Sequence, residues 1–176
     1  TAFAVMADSP GFRIDALEHK MGMKGSPTGQ PVYEDVFVPD ENVIGEVGKG
    51  FIVAMSTLDR SRLGIAAQAV GIAQGATDYA AAYAKERIAF GKPINTLQGI
   101  QFKLADMAMK LEAARQMLYG ICEEIDAGDY SRLQTIASMS KCYVTDVAME
   151  VTTEAVQIFG GNGYSKEYPL ERMMRA

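Results

Sequence analysis

Apolar residues recur at steps of three and four residues through most of the chain, and this spacing constrains the fold more than any other feature. The stripes run from Phe51 to about Glu86, from Ile100 to Leu118 and from Ile136 to Phe159. Residues at these steps share one helix face, so each stripe predicts a long amphipathic helix. Three long helices with short connections favour an antiparallel up-down bundle whose fourth long helix is missing or shared. The face predicted for the first helix comprises Phe51, Met55, Leu58, Ile65, Ala69, Ile72 and Ala76.

Small polar residues and glycines predict where the helices begin and end. We expect Asn95 or Thr96 to cap the second helix and Ser131 to open the third, because a short side-chain oxygen accepts a hydrogen bond from a free backbone N–H. Gly160-Gly161 is expected to end the third helix, since glycine adopts left-handed conformations at little cost. A short last helix is expected from Leu170 to Arg175.

The first 47 residues have the pattern of β structure. Ala2 to Met6 is a short apolar run, and Val32 to Val38 reads as a strand that ends at Pro39. The sequence therefore predicts a mainly α fold, with a C-terminal antiparallel helical bundle preceded by the last strands of a β domain.

Composition and charge exclude several classes of function. With 48% hydrophobic residues the chain has material for a core, and a net charge of −5 argues against nucleic acid as a partner. No apolar run reaches the roughly 18 residues needed to span a membrane. Cys122 and Cys142 lack metal-ligand spacing, so we expect buried free thiols and no metal site. His19, the single histidine, is expected in a solvated loop.

Three polar segments each allow a structural and a functional interpretation. Arg87, just before Phe90-Gly91-Lys92-Pro93, could offset the dipole of a helix C-terminus or hold a phosphate in its bidentate fork. Gly160-Gly161-Asn162-Gly163 could be a simple helix end or could let the backbone approach a pyrophosphate. Asp59–Arg62 interrupts the first stripe and could be an exposed turn or line a polar substrate.

Taken together, the motifs resemble the acyl-CoA dehydrogenase family, nearest to its short-chain, medium-chain or butyryl-CoA type. The resemblance covers essentially the whole chain. The matching segments, in the family's order, are Lys20–Thr28, Gly45–Phe51, Leu58–Arg62, Glu86–Pro93, Leu97-Gln98, Gln101–Met107, Ala155–Gly161 and Tyr168–Arg175.

The resemblance implies both an architecture and an activity. Residues 1–47 would be the end of a middle β domain, and residues 48–176 a C-terminal helical-bundle domain. Members bind FAD, remove the α and β hydrogens of an acyl-CoA and pass electrons to an electron-transferring flavoprotein. They assemble as homo-oligomers, typically dimers of dimers. A bacterial cytoplasm or a mitochondrial matrix is the expected location.

The resemblance also assigns site residues. Arg87 matches the arginine that reaches the FAD pyrophosphate, typically across a subunit interface, and Phe90 matches a residue near the adenine. The other expected cofactor-binding residues are Ile88, Ala89, Leu97, Gln98, Gln157, Ile158, Phe159, Gly160 and Gly161. The residues expected to touch the CoA part of the substrate are Asp59, Arg60, Ser61 and Arg62.

The family's catalytic base is the one role that no residue here fills. Most members carry it on a glutamate shortly after the segment that matches Met173 to Arg175, so we expect it beyond Ala176, where the chain is truncated. A minority carry it at the position of Ser61, and serine cannot abstract a proton α to a thioester. Serine at this position places the parent enzyme with the short- and medium-chain type rather than the isovaleryl or long-chain type.

A second hypothesis is a non-catalytic fragment that oligomerises without flavin. Apolar faces that the rest of the enzyme would cover favour self-association, so a homo-oligomer is expected under either hypothesis.

Overall fold

The computed structural model describes all residues from Thr1 to Ala176. It divides into two compact units, residues 1–58 and residues 59–176. The longest helix, α1, covers Gly50–Glu86 and crosses this boundary along the chain.

The first unit consists of two antiparallel ribbons. Strand β1 (Ala2–Phe3) pairs with β4 (Val43–Ile44), and β2 (Phe12–Leu17) pairs with β3 (Gly29–Tyr33). A 3-10 turn at residues 40–42 precedes β4. β structure in this region was predicted, but the strand bounds differ.

The strand predicted from Val32 to Val38 is wrong in its extent. Pairing with β2 fixes β3 at Gly29–Tyr33, and Asp35 adopts a positive φ of 50° that interrupts an extended ladder. Strand β2 was not predicted individually. Its partner is set by a contact between distant residues, which local patterns do not report.

The ribbons of the first unit bury little apolar surface. No buried apolar residue precedes Ala66, and large side chains such as Phe3 and Phe37 are exposed. An isolated two-stranded ribbon is marginal in water, because it needs a further layer to cover its apolar face.

The second unit is helical, and its three long helices confirm the predicted mainly α fold. After α1 come the short strands β5 (Ile88–Ala89) and β6 (Lys92–Pro93), a 3-10 turn at residues 94–96 and helix α2 (Gln98–Asp126). Helix α3 (Leu133–Phe159) is followed by α4 (Gly161–Tyr164) and α5 (Leu170–Arg175), so the predicted end of the third helix and the last short helix are confirmed.

Two ion pairs show that α2 and α3 are antiparallel. Lys103 pairs with Glu154, and Lys110 pairs with Glu150, so residue numbers increase along α2 as they decrease along α3. The hydrogen bond to Glu150 raises the pKa of Lys110 above its ordinary value. Glu150 and Glu154 therefore lie opposite lysines of α2, and Glu150 remains exposed.

Contacts at two levels show that α1 and α3 are parallel. Arg62 hydrogen-bonds Ser138, and 21 residues further along both helices Tyr83 stacks on Phe159. With α2 antiparallel to α3, the three helices run up, down and up. The C-termini of α1 and α3 therefore lie at the same end of the bundle.

Alanine forms most of the buried face of α1. Its core residues are Ala66, Ala69, Val70, Ala73, Ala76, Ala80 and Ala84. The predicted face was partly wrong: Ala69 and Ala76 are buried, whereas Phe51, Leu58 and Ile65 are exposed. Small side chains allow neighbouring helices to approach closely, since the separation of packed helices depends on the residues between them.

Neither predicted side-chain cap exists. Leu97 occupies the N-cap position of α2 without a side-chain hydrogen bond, and Thr96 Oγ1 donates to the carbonyl of Pro93 at 2.7 Å. Ser131 lies two residues before the start of α3 and donates its backbone N–H to Asp129 at 2.9 Å.

Both cysteines are exposed free thiols, so the expectation that Cys122 and Cys142 are buried is wrong. His19 is exposed in a loop, as predicted. None of the helices combines the length and the apolar character that crossing a membrane requires.

The alanine face of α1 predicts an asymmetric response to leucine. Ala76 is fully buried, so Ala76→Leu would force neighbouring helices apart and lower the free energy of unfolding by about 1–3 kcal/mol. Ala82→Leu, on the exposed face of the same helix, is the matched control and should change stability by less than about 0.5 kcal/mol. Urea unfolding followed by circular dichroism measures both, and equal effects would contradict a close-packed alanine face.

Candidate functional site

A tight hairpin follows the end of α1. Strands β5 and β6 pair with Ala89 opposite Lys92, which leaves Phe90 and Gly91 as a two-residue loop. Both residues have positive φ, 55° for Phe90 and 76° for Gly91. This combination suits the type I′ turn, whose twist matches that of the flanking strands. The hairpin was not predicted, although a glycine at the second loop position was a usable signal.

Phe90 is unusual in both conformation and exposure. A left-handed backbone costs a residue with a Cβ about 1–2 kcal/mol relative to the right-handed form. The phenyl ring is also 90% exposed, so no packing offsets this cost. Strain of this kind concentrates at functional sites, and this observation supports a ligand contact at the hairpin tip.

Arg87 is fixed through its backbone while its side chain remains free. Its N–H donates to the carbonyl of Tyr83 at 2.8 Å, and its carbonyl accepts the N–H of Ile94 at 2.9 Å. Ile94 is buried and anchors the hairpin to the core. The guanidinium of Arg87 is exposed and makes no ion pair or hydrogen bond within the chain. It is therefore available to an anion from outside.

A glycine turn connects α3 to α4. Gly160 has φ 57° and ψ −133°, a combination reserved for glycine. Gly163 allows close packing, because a Cβ there would lie 2.4 Å from the carbonyl oxygen of Val156. The backbone N–H groups of Gly161 and Asn162 donate no hydrogen bond within the chain. Two adjacent free amides in a turn can bind an anion.

The side chains of two predicted site residues face the core. Ile158 and Phe159 are each only 4% exposed, so they could contact a cofactor through their backbone alone. Leu97 is half-buried against the core. The exposed members of the predicted set are Ile88, Phe90, Gln98, Gln157, Gly160 and Gly161, together with Arg87.

The Arg87 hairpin and the Gly160 turn lie beside each other. The Tyr83 ring stacks on Phe159 with centroids 4.0 Å apart and planes 14° apart. Tyr83 is one turn before Arg87, and Phe159 directly precedes Gly160. The structure thus brings together the two segments in which the sequence suggested phosphate contacts.

The polar turn at Asp59–Arg62 is partly folded into the bundle. The guanidinium of Arg62 pairs with Asp59 at 2.6 Å and donates to Ser138 on α3 at 3.0 Å. The side chains of Arg62 and Asp59 are 30% and 21% exposed, so a wholly exposed turn is ruled out. Arg60 and Ser61 are exposed. Arg60 borders a groove of about 340 Å³ that is otherwise lined by Leu63, Ile125, Tyr130 and Leu133.

This polar turn is far from the Arg87 hairpin and the Gly160 turn. About 25 residues of α1 separate Arg62 from Arg87, which at ~1.5 Å per residue is roughly 37 Å. One copy of the chain therefore presents two separate polar regions, one at each end of the bundle.

The sequence model described as acyl-CoA dehydrogenase, C-terminal domain, matches residues 48–176. The chain belongs to the acyl-CoA dehydrogenase family. Two relatives show how far the likeness extends. It is 52% identical over 175 residues to a probable acyl-CoA dehydrogenase of Mycobacterium tuberculosis. It is 49% identical over 175 residues to a subunit of the caffeyl-CoA reductase-Etf complex of Acetobacterium woodii.

A solved structure agrees with both relatives. Butyryl-CoA dehydrogenase from Megasphaera elsdenii superposes with a TM-score of 0.94 at 50% identity, over 98% of this chain and 45% of that one. The alignments with the two relatives cover 99% of this chain, and 45% and 46% of theirs. The chain thus spans less than half the length of these family members.

The backbone of Gly160 predicts a stability difference between two neighbouring glycines. Gly160→Ala would place a Cβ on a residue with φ 57° and should lower the free energy of unfolding by about 1–3 kcal/mol. Gly161 lies in a helical turn with open space around it, so Gly161→Ala should be neutral or slightly stabilising. Urea unfolding compares the two variants, and equal effects would argue against strain at Gly160.

Proposed function

We propose that the chain is the C-terminal part of an FAD-dependent acyl-CoA dehydrogenase that oxidises a short- or medium-chain acyl-CoA and passes electrons to an electron-transferring flavoprotein. The observation that carries the proposal is the unpaired Arg87 guanidinium on a hairpin that adjoins the turn with the free amides of Gly161 and Asn162. The likeness to a butyryl-CoA dehydrogenase supports the substrate class, and Ser61 agrees with it. The likeness to a subunit of an Etf complex supports the electron acceptor.

The residues at the end of the bundle fit the diphosphate of FAD. The guanidinium of Arg87 would hold phosphate oxygens through parallel N–H donors, and the two free amides would donate to the same group. Phe90 would lie against the adenine, next to Ile88 and Ala89, and the other contacts proposed are those of Leu97, Gln98 and the Gln157–Gly161 backbone. When bound, FAD would supply the acceptor for the hydride that leaves the β carbon of the substrate.

The polar turn fits the CoA part of the substrate. Asp59 and Arg62 hold each other in position, while the exposed Arg60 and Ser61 would face a nucleotide. Because this turn lies roughly 37 Å from Arg87 along α1, we propose that Arg87 of one copy serves the FAD of a neighbouring copy. Such a site requires a homo-oligomer, and a dimer of dimers is proposed.

The remaining assignments follow from the same proposal. Residues 1–47 would end a middle β domain, which would cover the apolar side chains that the two ribbons leave exposed. Residues 48–176 would form the helical-bundle domain, with the base glutamate beyond Ala176. A bacterial cytoplasm or a mitochondrial matrix is the proposed location.

A second candidate is an oligomerising bundle that binds no flavin. Large apolar side chains on the outer faces of α2 and α3 favour this alternative, because they suit a protein interface. Phe102 and Met109 are 63% and 62% exposed, and Met149 is 56% exposed.

Visible absorption of the purified full-length protein, with and without acyl-CoA, separates the two candidates. The proposed enzyme should show a flavin band that bleaches on addition of butyryl-CoA or octanoyl-CoA, and the stronger response gives the preferred chain length. Light scattering should give the mass of a homo-oligomer. A colourless oligomer would support the second candidate, and a flavin band that neither acyl-CoA bleaches would contradict the proposed substrate class.

Replacing Arg87 in the full-length protein tests the phosphate contact. Hydrogen bonds to charged groups contribute about 1.5–3 kcal/mol, so Arg87→Ala should weaken FAD binding by roughly 10- to 100-fold. Arg87→Lys should recover part of this loss, because lysine keeps the charge without the fork. Titration of the deflavinated protein with FAD measures the affinities.

Lys85 is the matched control for that experiment. It is an exposed cation in the last turn of α1, where it can also offset the helix dipole. Lys85→Ala should leave FAD affinity unchanged. If Lys85→Ala and Arg87→Ala instead lower thermal stability equally and neither affects FAD, Arg87 acts only on the helix end.

A further inference from the structure

Tyr83 contacts both segments of the proposed FAD-phosphate site. Its ring stacks on Phe159, which directly precedes the Gly160 turn, and its backbone carbonyl accepts the N–H of Arg87 at 2.8 Å. Its hydroxyl oxygen accepts a hydrogen bond from the side-chain amide of Asn162 at 2.9 Å. The last contact joins α1 to α4 directly, across 79 residues of sequence.

Asn162 is itself part of the Gly160 turn, whose backbone we propose binds the diphosphate. Its backbone N–H is one of the two free amides, and Gly161 provides the other. A side-chain hydrogen bond at Asn162 therefore fixes the residue whose main chain would face the ligand. The close packing of Gly163 on Val156 holds the other side of α4.

The ring and the hydroxyl of Tyr83 make different contacts, so a substitution can remove one and keep the other. Tyr168 meets the Tyr83 ring edge-on at 6.2 Å and the Phe159 ring at 5.2 Å, so the three rings form one packed cluster. Phenylalanine at position 83 would keep this cluster and remove only the hydrogen bond to Asn162. Loss of that bond would free α4 to shift while the core stays packed.

We propose that Tyr83 and Asn162 are positioning residues for the FAD diphosphate. Their hydrogen bond holds the amides of Gly161 and Asn162 in a fixed position relative to Arg87, so that both can donate to the same diphosphate. This inference rests on the proposed function, because it assigns these residues to the same cofactor site. Neither side chain needs to touch the cofactor.

The test measures FAD affinity in the full-length enzyme for Tyr83→Phe, Asn162→Ala and the double variant. One neutral hydrogen bond contributes about 0.5–1.5 kcal/mol, so each single variant should weaken FAD binding by roughly 2- to 10-fold. The double variant should be no weaker than the worse single variant, since all three lack the same bond. Tyr79→Phe is the matched control. It removes a half-exposed hydroxyl one turn earlier on α1 that has no hydrogen-bond partner, and should leave the affinity unchanged.

Combining Tyr83→Phe with Arg87→Ala distinguishes positioning from general stability. If the bond acts by aligning the amides with Arg87, Tyr83→Phe should weaken FAD binding less when Arg87 is already absent. Equal losses in both backgrounds would overturn the inference and assign Tyr83 a purely structural role.

The Arg87→Ala variant also distinguishes a failure of the proposed FAD site from a failure of the positioning role of Tyr83 and Asn162. If Arg87→Ala weakens FAD binding and Tyr83→Phe does not, the positioning role is wrong and the proposed function stands. If Arg87→Ala has no effect on FAD binding, the proposed cofactor site itself is wrong, and the positioning role is wrong with it.

Discussion

Close packing along the alanine face of α1 is the constraint on which the rest of the bundle depends. Ala66, Ala76, Ala80 and Ala84 are completely buried over about five turns, so α1 packs through its backbone and methyl groups rather than through large side chains. Larger residues on α2 and α3, such as Met107 and Val151, fill the core from the other side. Because these buried alanines extend into the last turn of α1, they hold the end of that helix, and the start of the hairpin after it, against the bundle.

The up-down-up order of the helices then decides which polar segments meet. Since α1 and α3 run in the same direction, the hairpin that follows one and the glycine turn that follows the other emerge at the same end of the bundle. The Asp59–Arg62 turn belongs to the opposite end. Under the proposed function, this spacing gives a simple reason for a shared site. The helix α1 holds the two regions farther apart than the width of one substrate pocket. A second copy of the chain would therefore supply the contacts that the first copy cannot reach.

Sequence patterns predicted the parts of this structure that depend on neighbouring residues. The three long helices and the glycine end of α3 follow from apolar spacing and backbone preference. The buried face of α1 was partly wrong because alanine carries little hydrophobic signal beside Phe51 or Ile65. The cap predicted for α2 was wrong because the segment before this helix is held by the hydrogen bond between Ile94 and Arg87 rather than by a side-chain cap. The contact of Tyr83 with Asn162 could not be predicted, since no local pattern relates residues 79 positions apart.

The left-handed backbone of Phe90 has a consequence for how a ligand would be received. A flexible loop loses conformational entropy at the moment of binding, which lowers affinity. A two-residue turn locked between paired strands has already lost that backbone entropy during folding, and its aromatic ring is exposed to water. Recognition at this hairpin would therefore resemble the docking of two preformed surfaces. The free-energy cost of the turn's conformation would belong to folding rather than to binding.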